Sequence, residues 1–196
     1  MAFTEKTISS EPLYDAGFFK MRKDIVEVRG GRTSVRILIS HNGAVAVAAL
    51  TPEGKILLVK QYRKALEKVL LELPAGKIDD DEVEAEGLVP CAPGEESFIS
   101  DSLPTAKREL AEETGWQAEN WRKLTTIYTC VGFTNEHVDV YSCDVTSRGS
   151  THFDPDEDLD LVEMDLKEAV ELAASGGIQD SKTVAALLII AREKGI

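Results

Sequence analysis

The chain has 196 residues, of which 43% are apolar and 29% are charged, and its formal net charge is −13. This length suffices for one substantial domain, and so acidic a surface argues against nucleic acid or acidic membranes as partners. Cys91, Cys130 and Cys143 form no CxxC pair, so neither a disulfide framework nor a zinc site is expected. The first residues lack a basic start followed by an apolar run, and residues 184–191, the longest apolar run, are too few to span a bilayer. We therefore expect a cytoplasmic protein.

Residues 18–40 are predicted to form two antiparallel strands. Ile25, Val26 and Val28 precede Gly30-Gly31, and Val35, Ile37 and Ile39 follow it at every second position. A Gly-Gly pair between two such runs is a hairpin signal. Because an isolated two-stranded unit is only marginally stable, this hairpin should pack on another subunit or on the main domain.

The remainder of the chain is predicted to mix strands and helices. Strands are expected at residues 44–50, 56–62, 67–73, 122–130, 137–145 and 161–164, and helices between Pro104 and Gly115, at 166–175 and at 181–194. Residues 78–102 are predicted to be a long surface loop and residues 148–160 an acidic loop. Strands with flanking helices indicate an α/β or α+β fold.

The helix before Gly115 carries an unusual group of acids. Glu109 and Glu113 are four residues apart and lie on one helix face, with Glu112 on the adjacent edge. Like charges at this spacing repel, and Arg108 can pair with Glu112 but cannot neutralise all three. A hard divalent cation such as Mg²⁺ would stabilise the group. Taken alone, however, an acid-rich helix face is usually only a solvated surface.

The neighbouring sequence favours the metal interpretation. Residues 108–116, Arg-Glu-Leu-Ala-Glu-Glu-Thr-Gly-Trp, match the second half of the Nudix signature, Gly-x5-Glu-x7-Arg-Glu-U-x-Glu-Glu-x-Gly-U, where U is apolar. Four other segments resemble the ADP-ribose pyrophosphatase branch of that family and occur in the expected order: Gln61-Tyr62-Arg63, Glu72-Leu73-Pro74-Ala75-Gly76, Gly132-Phe133-Thr134-Asn135-Glu136 and Asp180-Ser181-Lys182-Thr183. The chain thus resembles Nudix hydrolases along nearly its whole length.

The signature is interrupted in this chain. Arg108 lies 32 positions after Gly76, where the pattern has 14, so about 18 residues are inserted. Counting back from Arg108 places Ser100 where the first glutamate of the box belongs. Three nearby acids are alternatives for its place: Glu95, Glu96 and Asp101. In this family that glutamate is mainly a structural partner of the box, so the resemblance is compatible with an intact metal site.

The resemblance implies a fold and a domain organisation. The fold is α/β (α+β), with a Nudix-type mixed sheet sandwiched by helices and a small N-terminal antiparallel β subdomain. We expect the subdomain at residues 1–42, where it would serve dimerisation and the substrate pocket. The Nudix hydrolase domain would follow at residues 43–196, with the insertion at about 78–102. A homodimer is expected.

The resemblance also implies the residues of a metal-dependent site. Glu109, Glu113 and the carbonyl of Ala75 would bind Mg²⁺, with Mn²⁺ as an alternative. Glu112 would be a ligand or an outer-sphere partner, and Arg108 would orient the glutamates. In this branch the general base comes from an acidic loop after the last strands of the sheet. The comparable loop here favours Glu157, which precedes an Asp-Leu pair.

The expected reaction is hydrolysis of the diphosphate of ADP-ribose or an ADP-sugar to AMP and a sugar phosphate. Arg36 and Arg63 would bind phosphate and ribose, because guanidinium offers the two-pronged contact that lysine lacks. Phe18 and Phe133 would contact adenine.

Two departures from the branch bear on the substrate. Val131 stands where the branch commonly has proline, and Asp15-Ala16 stand where it often has an arginine before the first phenylalanine. GDP-mannose or a UDP-sugar therefore remains an alternative substrate. A non-catalytic Nudix-like nucleotide sensor is a further alternative, although the box glutamates are all present.

Overall fold

The computed structural model describes residues 4–78, 102–152 and 158–196. The strands are β1 (Lys6–Asp15), β2 (Phe19–Val28), β3 (Arg32–His41), β4 (Ala44–Leu50), β5 (Lys55–Arg63), β6 (Lys68–Glu72), β7 (Ala75–Lys77), β8 (Trp116–Tyr128), β9 (His137–Arg148) and β10 (Leu159–Asp165), and the helices are α1 (Leu103–Thr114), α2 (Leu166–Ser175) and α3 (Ser181–Lys194). Nearly all of the predicted insertion and the centre of the predicted acidic loop lie outside the described residues. The described residues divide into two compact units, which are taken in turn.

The first unit contains a three-stranded antiparallel sheet in the order β1-β2-β3. The predicted hairpin is confirmed: β2 pairs with β3 across Gly30 and Gly31, whose positive φ angles of 91° and 73° suit glycine. Strand β1 was not predicted. Its sequence is polar, contains Pro12 and pairs with β2 through two register shifts, as an edge strand can.

Residues 128–137 also belong to the first unit. The amide of Ile39 donates to the carbonyl of Phe133 at 2.7 Å, and the amide of His41 donates to Oδ1 of Asn135 at 2.8 Å. These bonds attach the segment to the end of β3. A long-range pairing of this kind leaves no local pattern, and the sequence did not predict it.

The second unit contains a seven-stranded mixed sheet. Its main path is β10-β5-β4-β9-β8, while β6 pairs with β5 and β7 pairs with β4. Strand β4 runs parallel to β9 and antiparallel to β5 and β7. This confirms the predicted mixed sheet. The three-residue strand β7 is too short to give a sequence pattern, and it was not predicted.

Helices α2 and α3 supply much of the core of the second unit. Their buried residues pack with those of the sheet in one cluster that includes Ala46, Leu58, Ala169 and Leu187. Asp165 and Asp180 cap the two helices by accepting backbone N–H groups. Both helices have the predicted bounds. No helix in the described ranges combines the length and apolar character that crossing a bilayer requires.

Helix α1 has the predicted ends. Pro104 lies in its first turn, and Gly115, with φ 72°, is the left-handed residue after its last turn. Ser102 precedes the helix, but its hydroxyl bonds Asp139 at 2.7 Å rather than a helix amide. The buried pair therefore anchors the start of α1 to β9. Strand β8 begins directly after Gly115, six residues before its predicted start.

Candidate active site

The glutamates of α1 face the turn formed by residues 72–76. Glu109 is 9% exposed and Glu113 is 2% exposed, so neither is a solvated surface acid. A Cβ atom on Gly76 would lie 1.9 Å from Cδ of Glu109, so only glycine allows this approach. The backbone of the turn at Gly76 therefore lies in close contact with the carboxylate of Glu109.

Backbone hydrogen bonds fix the same turn. The amide of Ala75 donates to Oε2 of Glu113 at 3.1 Å, and the carbonyl of Pro74 accepts the amide of Val47 at 2.9 Å. Ala75 also pairs with Ala46 in the short ladder between β7 and β4. The turn is thus held between the central strand and the acidic face of α1.

The guanidinium of Arg108 forms ion pairs with two of the three glutamates of α1. Nη1 of Arg108 lies 3.0 Å from Oε1 of Glu109 and 2.9 Å from Oε2 of Glu112. Within residues 4–78, 102–152 and 158–196, no three His, Cys, Asp or Glu side chains form a metal cage. Two buried carboxylates that face one backbone turn nevertheless fit Mg²⁺ or Mn²⁺, because Mg²⁺ commonly takes one or two carboxylates and keeps several waters.

The start of the turn carries a second buried acid, Glu72, which is 2% exposed. Nε and Nη2 of Arg63 donate to its two oxygens at 2.7 Å and 2.8 Å, and Nζ of Lys182 donates to Oε2 at 2.6 Å. Burial alone would raise the pKa of Glu72. The hydrogen bonds from Arg63 and the charge and hydrogen bond of Lys182 outweigh burial and lower the pKa to about 2.

The N-terminus of α3 completes this network. Nζ of Lys182 lies 3.0 Å from Oδ1 of Asp180, the residue that caps the helix. The hydroxyl of Thr183, which is fully buried, accepts the amide of Leu73 at 2.8 Å. Strands β5 and β6, the turn and α3 therefore meet around one carboxylate.

Comparison with known proteins agrees with this geometry. A family model described as the NUDIX domain matches residues 91–187, a stretch that contains α1. The methanol dehydrogenase activator of Bacillus methanolicus is 39% identical over 187 residues, covering 94% of this chain and 91% of that protein. The ADP-ribose pyrophosphatase of Bacillus subtilis (strain 168) is 37% identical over 185 residues, covering 93% of this chain and 90% of that protein. The chain belongs to the Nudix hydrolase family.

Two further similarities extend the comparison. A GDP-mannose pyrophosphatase of Yersinia enterocolitica is 28% identical to this Nudix hydrolase over 200 residues, covering 94% of this chain and 93% of that protein. The crystal structure of an ADP compounds hydrolase superposes with a TM-score of 0.74 at 20% identity, covering 97% of this chain and 95% of that one. At that identity the structural likeness supports the fold alone.

The structure brings together most of the residues predicted for the Nudix box. The predicted metal ligands Ala75, Glu109 and Glu113 are adjacent, and Arg108 contacts Glu109 and Glu112. Their roles in metal binding and catalysis stay predictions. The predicted base, Glu157, lies outside the described residues.

The other predicted substrate residues of the Nudix hydrolase lie in the first unit, apart from Arg63. Phe18 packs edge-on against His41 with ring centroids 5.9 Å apart, and the carbonyl of Phe133 is bonded to the same strand, β3. Both aromatic side chains are exposed. Arg36 pairs with Glu5 through Nε at 3.0 Å, and this pair raises the pKa of Arg36.

Sequence reasoning assigned no role to Glu72, Lys182 or Thr183. The segments that hold them were noted only as part of the family resemblance. The sequence signal that could have pointed to them is the polar stretch Asp-Ser-Lys-Thr directly before an apolar run in the same helix. Such a start is also an ordinary helix cap, so it did not reveal a partner 110 residues away.

Proposed function

We propose that this Nudix hydrolase cleaves the diphosphate of ADP-ribose or an ADP-sugar, giving AMP and a sugar phosphate. The single observation that carries the proposal is the burial of Glu109 and Glu113 against the turn at Ala75 and Gly76. Two buried carboxylates facing one turn are chemically suited to a divalent cation, which prefers oxygen ligands and commonly takes one or two carboxylates. The name of the Bacillus subtilis relative supports ADP-ribose as the substrate.

In this proposal Glu109, Glu113 and the carbonyl of Ala75 hold Mg²⁺ or Mn²⁺. The bound ion supplies charge neutralisation at the diphosphate and lowers the pKa of a bound water. Arg108 keeps the carboxylates of Glu109 and Glu112 in fixed directions, since Nη1 bonds both. Glu112 is the more exposed of the two and acts as an additional ligand or through a water.

Two arginines would recognise the anionic substrate. Nε and Nη2 of Arg63 are bonded to Glu72, which holds the guanidinium plane in one orientation. A pre-oriented guanidinium loses little entropy when it binds phosphate. Arg36 pairs with the exposed Glu5, which substrate oxygens can replace at small cost.

Phe18 and Phe133 are the proposed adenine contacts. Both side chains belong to the first unit and are exposed there. An exposed aromatic face can stack on a base without displacing a packed core residue. Alanine at either position should raise KM for ADP-ribose more than it lowers kcat.

Glu157 is the proposed general base. The chemistry requires a group that accepts a proton from the attacking water. Glu157→Gln should lower kcat strongly while the affinity for the divalent ion is retained. Asp156→Asn, one residue away in the same acidic stretch of sequence, is the matched control, and equal losses in both variants would contradict the assignment.

We further propose a homodimer formed through the first unit, in a cytoplasmic protein. Ile8, Leu13, Val35 and Ile37 in its three-stranded sheet are all exposed. Exposed apolar side chains on one small sheet are what a protein interface commonly covers. Sedimentation should show a dimer that Ile37→Glu dissociates, and a monomeric wild-type protein at working concentration would reject the interface.

GDP-mannose is the second candidate substrate. Val131 replaces the proline that the ADP-ribose branch commonly has, and it is 81% exposed. The Yersinia enterocolitica relative carries the GDP-mannose name. A UDP-sugar belongs to the same class of alternatives.

A substrate panel separates these possibilities. Hydrolysis of ADP-ribose, GDP-mannose and a UDP-sugar would be followed with Mg²⁺, with Mn²⁺ and with chelator, for the wild type and for Glu113→Gln. Glutamine keeps an oxygen for the amide of Ala75, so the variant should fold but lose turnover. Glu168→Gln, which changes an exposed glutamate on α2, is the matched control.

Each outcome has a definite meaning. Metal-dependent activity led by ADP-ribose and lost in Glu113→Gln supports the proposal. Activity led by GDP-mannose keeps the metal site and changes the substrate. Nucleotide binding without hydrolysis by the folded protein would favour the sensor alternative, and a fully active Glu113→Gln would refute the metal assignment.

A further inference from the structure

The segment Asp180–Thr183 has no part in the proposed reaction, yet its side chains form several hydrogen bonds and ion pairs. Lys182 reaches both Glu72 and Asp180. Thr183 is fully buried and bonds the amide of Leu73. Both contacts cross 110 residues of sequence to the start of the same turn. A helix cap alone would require neither of them.

The hydroxyl of Thr183 is oriented by its surroundings. A hydroxyl has one proton and two lone pairs. The proton of Thr183 points to Oδ2 of Asp180, which also accepts the amide of Thr183 at 3.0 Å. The lone pairs are thereby directed at the amide of Leu73, 2.8 Å away. Asp180 thus serves the turn as well as the helix.

The two ends of the turn are held by different helices. At its start, α3 bonds the carboxylate of Glu72 and the amide of Leu73. At its end, Ala75 donates to Glu113 of α1 and Gly76 contacts Glu109. Only Pro74 separates Leu73 from Ala75, so the carbonyl of Ala75 lies within two residues of the amide that α3 holds.

We propose that Lys182 and Thr183 are positioning residues that fix the carbonyl of Ala75 for a divalent cation by clamping the start of the turn. The inference rests on the proposed function, because that function places the cation at Ala75, Glu109 and Glu113. Neither residue touches the ion. Their effect passes through Glu72 and Leu73, as that of an outer hydrogen-bond partner passes through a metal ligand.

The test is direct Mn²⁺ binding, measured by electron paramagnetic resonance without substrate. Thr183→Val keeps the shape of the side chain but removes the acceptor for Leu73. We expect Mn²⁺ affinity to fall about tenfold and the Mn²⁺ concentration for half-maximal activity to rise in parallel. Thr183→Ser, which restores the hydroxyl, should bind Mn²⁺ as the wild type does.

Thr51→Val is the matched structural control. Its hydroxyl also accepts a backbone amide, that of Lys55, but at the turn between β4 and β5. Its melting temperature should fall while Mn²⁺ affinity stays unchanged. Lys182→Met provides a second variant, with an expected loss of Mn²⁺ affinity of about tenfold. It decides the question if Thr183→Val does not fold.

The outcomes distinguish the inference from the function on which it rests. Wild-type protein that binds no Mn²⁺, or Glu113→Gln that binds it equally well, would overturn the metal site itself. Normal Mn²⁺ affinity in folded Thr183→Val and Lys182→Met, beside a working wild type, would overturn the positioning role alone. Loss of affinity that is restored in Thr183→Ser and absent in Thr51→Val would establish it.

Discussion

The pair Arg63–Glu72 in the second unit and the pair Arg36–Glu5 in the first have similar geometry but different surroundings. Their arginines are comparably exposed, whereas the side chain of Glu72 is 2% exposed and that of Glu5 is 42% exposed. A buried carboxylate must keep its partners, because an unpaired buried charge is costly. An exposed pair contributes little and is easily exchanged. One pair is therefore part of the framework, and the other is available for exchange with a ligand.

The largest effect should come from the turn that Glu72 begins. In Gly76→Ala the added methyl would overlap the carboxylate of Glu109. We expect kcat for ADP-ribose to fall by about a hundredfold, since small displacements of catalytic groups can cost that much. In Gly149→Ala the new methyl meets only an ordinary contact at 3.7 Å, and kcat should be retained. Gly76→Ala with activity near that of the wild type would show that the turn is not close to the chemistry.

The next effect compares the two glutamates directly. Glu72→Gln leaves Arg63 and Lys182 without their buried counter-charge, so the free energy of unfolding should fall by about 3 kcal/mol. Glu5→Gln changes an exposed pair and should leave the urea midpoint within experimental error. Urea denaturation at pH 7 measures both. If both variants lost the same free energy of unfolding, the buried pair would contribute no more to stability than the exposed pair, and the comparison would fail.

The third prediction concerns acid stability. Glu72 has a pKa of about 2 in the folded protein and an ordinary value of 4.5. Between these values the unfolded chain binds the proton first, so stability falls as pH decreases from 4.5 towards 2. The stability difference between wild type and Glu72→Gln should be constant above about pH 5 and shrink below it. A difference that stays constant down to pH 3 would contradict the lowered pKa.

The smallest effect is expected for Arg36. Arg36→Gln should leave the melting temperature unchanged because its partner, Glu5, is exposed. If Arg36 binds substrate phosphate, KM for ADP-ribose should rise about tenfold with little change in kcat. An unchanged KM would make the pair an ordinary surface ion pair. Steady-state kinetics and calorimetry on the same preparation give both answers.

Local patterns predicted most of the fold. Gly30-Gly31 marked the hairpin, and the helices predicted at 166–175 and 181–194 have those bounds in the structure. The start of β8 was predicted six residues too late, and two strands were not predicted: β1, a polar edge strand, and β7, which has three residues. Strand β1 pairs with its neighbour in sequence, β2, but its polar residues carry no strand pattern. Strand β7 forms through pairing with β4, and local propensity does not record such pairing.

The candidate site likewise contains residues that could be grouped from the sequence and residues that only folding brings together. Glu109 and Glu113 share a helix face because of their spacing, so sequence reasoning could group them. The link between Glu72 and Lys182 spans 110 residues and depends on the packing of α3 beside the turn. No spacing rule relates two such positions. Only the folded chain shows that the acid at the start of the turn has two cationic partners.

The parallel pairing of β4 with β9 has a consequence for how the chain folds. Ala44 pairs with Val138, so the centre of the sheet cannot close until most of the polypeptide has been synthesised. The inserted residues lie inside this closure. Lengthening it by about 18 residues adds only about 0.2 kcal/mol of loop entropy. The long-range pairing of β4 with β9 thus makes folding slow. The inserted residues slow it little further, because they add so little to the entropy of closing the chain.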